Sequence, residues 1–156
     1  VLIAARSSYQ TQLARAVFDK RTVGSLMSRN PLAVEPDMTL SDFVNDIILR
    51  RRTNFAPVVE DGVLLGHMDR QLLSGIDRDN WASTRVGDVF VGLEDTPMVD
   101  PDLPVQDLLA LVAQTGARKF LVVRDHRLLG VITLADLAGS LQQADMRLHE
   151  RDVPQR

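Results

Sequence analysis

The sequence predicts an α+β fold made of two copies of one unit, each a strand-like opening, a helix, two strands and a closing helix, with a further helix in front. Three observations predict it. First, residues 22–76 and 85–139 follow one template. Thr22-Val23-Gly24-Ser25-Leu26-Met27 returns as Arg85-Val86-Gly87-Asp88-Val89-Phe90, and Val34-Glu35-Pro36-Asp37-Met38-Thr39-Leu40 returns as Val99-Asp100-Pro101-Asp102-Leu103-Pro104-Val105. Pro57-Val58-Val59 and Leu64-Leu65-Gly66 return as Leu121-Val122-Val123 and Leu128-Leu129-Gly130. The offset is 63 residues in the first block, 65 in the second and 64 in the third. Second, each copy holds two short β-rich runs around a turn. Third, apolar residues recur at helical spacing before and after those runs. A repeat of this size rarely buries its hydrophobic face alone, so the two copies are expected to stack around a shared core.

Taken in order, the chain opens Val1-Leu2-Ile3-Ala4-Ala5, which reads as the end of an apolar helix. Residues 7–20 fit a helix with Tyr9, Leu13, Ala16 and Val17 on one face, so residues 1–21 are expected to be a connector. The first repeat spans 22–76. Thr39 or Ser41 can cap a helix carrying Leu40, Phe43, Val44, Ile47 and Ile48, and Arg50-Arg51-Arg52 suits its negative C-terminus. Phe55 to Glu60 and Val63 to Asp69 read as strands around the turn pair Asp61-Gly62, followed by a brief helix from Gln71 to Ile76. A polar linker, 77–84, contains Trp81. The second repeat spans 85–148. Pro104 can begin a helix, and Gly116 can end it. Strands are expected at Phe120 to Arg124 and Leu128 to Thr133, turning at Asp125-His126, and a last helix from Leu134 carries Leu137, Ala138, Leu141, Ala144 and Leu148. Residues 149–156 form a polar tail.

Composition narrows the function. The chain is 45% hydrophobic and 25% charged, as in ordinary globular proteins, and its net charge of −3 gives no basic surface for nucleic acid. Without cysteine there is neither a disulfide nor a thiolate metal site. No apolar run is long enough to cross a membrane. His67, His126 and His149 are isolated in sequence, and no His-Glu-x-x-His spacing, nucleophile elbow or Gly-rich phosphate loop occurs. No catalytic residue and no metal ligand is therefore assigned.

The segments Val23 to Met27, Val34-x-Pro36-Asp37-x-Thr39-Leu40, Phe55-Ala56-Pro57-Val58-Val59 and Leu129-Gly130-Val131-Ile132-Thr133-Leu134-Ala135-Asp136-Leu137, in this order, resemble the cystathionine β-synthase (CBS) domain family in its tandem form, the Bateman module. The resemblance covers both copies. It implies a βαββα fold per copy, two copies related by a pseudo-two-fold axis, a cleft for an adenine nucleotide (AMP, ADP or ATP) and association into a homodimer. The flanks, Ala4-Ala5-Arg6-x-x-Tyr9 and Trp81 followed by Thr84-Arg85-Val86-Gly87-Asp88-Val89, are similar to bacterial site-2-type zinc metalloproteases. That similarity implies an attached catalytic domain in the inner membrane, with this module on the cytoplasmic side.

Thr133 and Asp136 carry the candidate site. Gly130-x-x-Thr133-x-x-Asp136 places the hydroxyl at a strand end and the carboxylate in the first turn of a helix, where free N–H groups favour phosphate. The hydroxyl can donate to phosphate, and in the resembling family the carboxylate accepts from ribose. The same pair can instead simply cap the helix. Arg118 and Lys119 can neutralise phosphate charge, and Val99, on the opening of the second copy, belongs to the same candidate set. The first copy has Asp69 and Leu72 at the corresponding positions; one repels phosphate and the other cannot accept from ribose. One working site is expected, in the second copy. The expected function is a regulatory, non-catalytic module that senses an adenine nucleotide, the alternative being a ligand-free dimerising scaffold.

Overall fold

The computed structural model of the chain describes residues 20–151. The helix expected over residues 7–20 therefore falls almost wholly outside the described residues, as do 152–156. The first elements among the described residues are a helical turn, α1 (Val23–Leu26), and a two-residue strand, β1 (Ser28–Arg29). Thr39 then caps α2 (Leu40–Asp42), its hydroxyl accepting from Asp42 N–H at 3.2 Å. This turn runs on as a π-helix over Phe43–Leu49. The hairpin β2 (Phe55–Glu60) and β3 (Val63–Asp69) follows. Its turn residues Asp61 and Gly62 both have positive φ, 52° and 82°, as the reversal between two twisted strands requires. The helix expected at the end of the first copy is a 3₁₀ turn, Arg70–Gly75.

The second copy repeats the plan with α3 (Val86–Val89), β4 (Val91–Gly92), a 3₁₀ turn at Leu93–Asp95, β5 (Met98–Val99) and α4 (Val105–Thr115). Pro104 is the N-cap of α4, and Gly116 ends it in the left-handed region at φ 71°. The hairpin β6 (Lys119–Arg124) and β7 (Arg127–Thr133) leads into α5 (Leu134–Arg151). Asp125 and His126 turn this hairpin with φ of 51° and 64°. The helix runs three residues into the segment read from sequence as a polar tail.

The strands form one sheet in the order β2-β3-β7-β6-β5, with β1 added on β7 and β4 on β3. The two additions are reciprocal. Ser28 of the first copy lies opposite Val131 of the second, and Val91 of the second lies opposite His67 of the first. Backbone hydrogen bonds repeat the exchange: Val23 and Gly24 N–H donate to the carbonyls of Leu103 and Pro101, while Val86 and Gly87 N–H donate to those of Met38 and Pro36, at 2.8–2.9 Å. The opening segment of each copy is thus built into the other.

Two cores result, where the sequence suggested one. Val23 is buried with Val99, Val105, Leu108, Phe120, Val122, Ile132 and Leu137 of the second copy. Val86 is buried with Val34, Leu40, Phe43, Ile47, Ala56, Val58 and Met68 of the first. The unequal offsets have structural causes. Between Val23 and Val34 there are two residues fewer than between Val86 and Val99, and the second copy spends its extra length on the 3₁₀ turn at Leu93–Asp95. From Leu40 to Arg52 the chain has one residue more than from Val105 to Gly116. The π-helix absorbs it, since i→i+5 bonding fits an extra residue into the same axial length; Arg50 N–H donates to Asn45 C=O at 3.2 Å. Arg52 then takes a left-handed φ of 55°, the role that Gly116 fills at 71° in the second copy.

Candidate functional site

Thr133 ends β7 and Asp136 lies in the first turn of α5, and they hold each other. Asp136 N–H donates to Thr133 Oγ1 and Thr133 N–H donates to Asp136 Oδ2, both at 3.1 Å. This is a reciprocal capping box. Leu134 N–H is also taken, by the Arg118 carbonyl at 2.8 Å. The donors at this helix start are therefore largely spent inside the chain, unlike the free N–H groups expected from sequence. Each side chain still keeps one unused function. The Thr133 oxygen accepts, which leaves its O–H proton to donate; the Asp136 carboxylate uses Oδ2, which leaves Oδ1 to accept. Both residues are half-buried.

Lys119 starts β6 and Arg118 immediately precedes it, at the same end of the hairpin. Lys119 lies directly opposite Thr133 in the antiparallel register, so the two side chains share one face of the sheet. The structure thus gathers Thr133, Asp136, Arg118 and Lys119 around one hairpin end. Val99 is placed apart from them. It is 7% exposed, packed in the second core, and paired in parallel with Val122 further along β6. Arg50, Arg51 and Arg52 are exposed beyond the π-helix.

Arg118 and Lys119 also line a cavity of about 320 Å³ between the copies, together with Asn54, Phe55, His67 and Asp69 of the first copy. This is the low end of small-molecule pocket sizes. Lys119 Nζ sits 5.8 Å from the centroid of the Phe55 ring, so the two walls meet there. Phe55 and Lys119 occupy equivalent positions, as do Asn54 and Arg118. The departure from symmetry thus extends beyond Asp136 and Leu72: the second copy presents cations where the first presents an amide and an aromatic ring. Asp69, the counterpart of Thr133, caps the 3₁₀ turn by accepting from Gln71 N–H at 2.9 Å. Leu72, the counterpart of Asp136, packs against the first core.

His67 stands isolated in the sequence because its hydrogen-bond partner, Thr96, comes from the other copy. It is 8% exposed and stacks on Phe55 with centroids 4.9 Å apart. Its Nδ1 lies 2.8 Å from Thr96 Oγ1, and Thr96 donates its hydroxyl proton to the Gly92 carbonyl at 2.8 Å. Since that proton is committed, Nδ1 must be the donor in the first contact. Burial pushes the His67 pKa below its ordinary value, while the charges of Asp69 and Asp95 pull it back up. The signal that pointed here was the longer second copy, whose added turn delivers Asp95 and Thr96 to His67. Among the described residues no group of His, Cys, Asp and Glu is arranged to hold a metal ion, and no helix is long and apolar enough to cross a membrane.

Interleaved copies enclosing a cleft at their junction define a tandem repeat module. The sequence profile of the CBS domain matches residues 23–67 and 86–143, and the chain belongs to that family. Over 140 residues it is 26% identical to Rip3 of Mycobacterium tuberculosis, covering 88% of this chain and 36% of that protein. Over 136 residues it is 26% identical to the zinc metalloprotease MJ0392 of Methanocaldococcus jannaschii, covering 87% and 37%. The chain thus spans little more than a third of the length of these relatives. Among solved structures, CBSX2 in complex with AMP superposes with a TM-score of 0.68 at 22% identity, covering 80% of this chain and 98% of that one. The CBS domain of the bacterial CNNM/CorC family Mg2+ transporter in complex with ATP gives 0.70 at 17% identity, covering 88% and 97%.

Proposed function

We propose that the chain is a non-catalytic regulatory module that binds an adenine nucleotide at the hairpin end of the second copy and passes the change to an attached domain. The observation that carries this reading is the convergence of Thr133, Asp136, Arg118 and Lys119. Asp136 Oδ1 accepts from the ribose, the Thr133 hydroxyl donates to phosphate, and Arg118 and Lys119 neutralise its charge. The capping box fixes both side chains before any ligand arrives, so little ordering is lost on binding. The AMP and ATP complexes of CBS structures support the ligand class. The metalloprotease relative supports a zinc protease as the attached domain. A homodimer, and a position on the cytoplasmic side of a membrane parent, complete the proposal. Binding regulates only if the nucleotide prefers one arrangement of the copies over another.

Calorimetry with AMP, ADP and ATP tests it. Asp136→Ala is expected to weaken binding by about 1–3 kcal/mol, the scale for losing a charged hydrogen-bond partner; unchanged affinity sinks the assignment. One observation favours a second reading, a ligand-free dimerising scaffold: Thr133 and Asp136 already satisfy each other. In that case no adenine nucleotide raises the melting temperature at saturation, since a ligand of the native state must stabilise it.

A further inference from the structure

We propose that the cleft between the copies is proton-linked through His67, so that the module binds an anionic nucleotide more tightly as the pH falls and draws a proton onto His67 when it does. The inference rests on the nucleotide reading above and adds its regulation. It starts from the tautomer. Thr96 gives its only hydroxyl proton to Gly92, so the neutral His67 ring donates from Nδ1 and carries its lone pair on Nε2. Among the described residues no buried side-chain nitrogen or oxygen lacks a partner, and Nε2 has no protein partner, so Nε2 reaches solvent. The cavity that His67 lines gives it that opening.

Protonation at Nε2 leaves the Thr96 hydrogen bond intact and adds a positive charge to the cleft. The charged groups around the ring come from three elements. Asp69 stands at the end of β3, Asp95 on the added 3₁₀ turn, and Arg118 and Lys119 at the start of β6. The two acids favour the proton. A phosphate held by Arg118 and Lys119 brings further negative charge into the cavity that His67 lines, and the ring then protonates more readily. By linkage, a proton on His67 strengthens the hold on phosphate by the same factor. The pair occurs once in the pseudo-symmetric module: the counterpart of His67 is Val131 and that of Thr96 is Pro31.

The test is calorimetric titration of the full chain with ATP at about pH 7.5 and about pH 5.5, comparing the parent with His67→Asn, which keeps a donor toward Thr96 but cannot titrate in this range. The nucleotide's own phosphate titrates in both proteins and cancels in the comparison. The parent is expected to gain several-fold more affinity on acidification than the variant, within the limit of about tenfold per pH unit for one linked proton. Equal gains overturn the linkage while leaving the nucleotide reading standing. No ATP binding at either pH overturns both. If His67→Asn fails to fold, nitrogen NMR of the parent decides: His67 must titrate at higher pH with ATP bound, and an unmoved titration refutes the proposal.

Discussion

At the residue scale, the capping box of Thr133 and Asp136 leaves each side chain one function free for the proposed ligand. A hydroxyl can accept and donate at once, and a carboxylate has two oxygens, so the capping box occupies half of each side chain. Removing Asp136 is therefore expected to cost stability, by about 1 kcal/mol for a lost cap, in addition to the loss of binding proposed above. His67 carries a different linkage. Its folded pKa lies below the ordinary 6.5, chiefly because of burial. The unfolded chain thus takes up this proton at higher pH than the folded chain does. The stability it contributes is complete above about pH 6.5 and is lost as the pH falls through the folded value. Urea unfolding of the ligand-free chain between about pH 7.5 and pH 5.5 should show this decline in the parent and a shallower one in His67→Asn. Parallel slopes would mean that His67 titrates alike in both states.

At the scale of elements, two glycines mark where one copy crosses the other. A Cβ on Gly66 would lie 1.9 Å from the Val91 carbonyl oxygen, and one on Gly130 would lie 2.6 Å from that of Ser28. Gly92, in β4 itself, has nothing within 4 Å of the same position. Gly66→Ala and Gly130→Ala must push β4 and β1 off the hairpins, at a cost of about 3 kcal/mol each, the upper part of the overpacking range. Gly92→Ala should leave the urea midpoint nearly unmoved. A midpoint for Gly66→Ala equal to that of Gly92→Ala would refute the close crossing. The hairpins themselves were legible in sequence, because β2 and β3 are bounded by a turn pair and by strand-forming residues only a few positions apart. The π-helix and the added 3₁₀ turn were not read from the sequence, although the offsets change where they lie. The cleft was not legible. His67 meets Thr96 29 residues away, and Lys119 meets Phe55 across the two copies; no local pattern records such pairs.

At the scale of the molecule, the exchange of opening segments makes the two repeats one cooperative body. The second core contains Val23, with Leu26 and Met27 packed against it, and the first contains Val86, with Val89 and Phe90. Neither repeat, cut from the chain, holds its own opening segment in its own core. Each separated half would leave a slot beside its hairpin and expose the strand edge that β1 or β4 covers. Losing three apolar side chains from a small core removes several kcal/mol, comparable with the whole stability of a domain this size. Residues 20–84 and 85–151, prepared separately, are therefore expected to show collapsed amide spectra and no cooperative melt as monomers. Mixed in equal amounts, they should recover dispersed spectra and a single transition, because each supplies the segment that the other lacks. A half that folds as a stable monomer would show that the exchange is a matter of connectivity rather than of stability. Recovery only on mixing would show that what each copy needs from the other is its opening segment, carried among the described residues by α1 and β1 on one side and by α3 and β4 on the other.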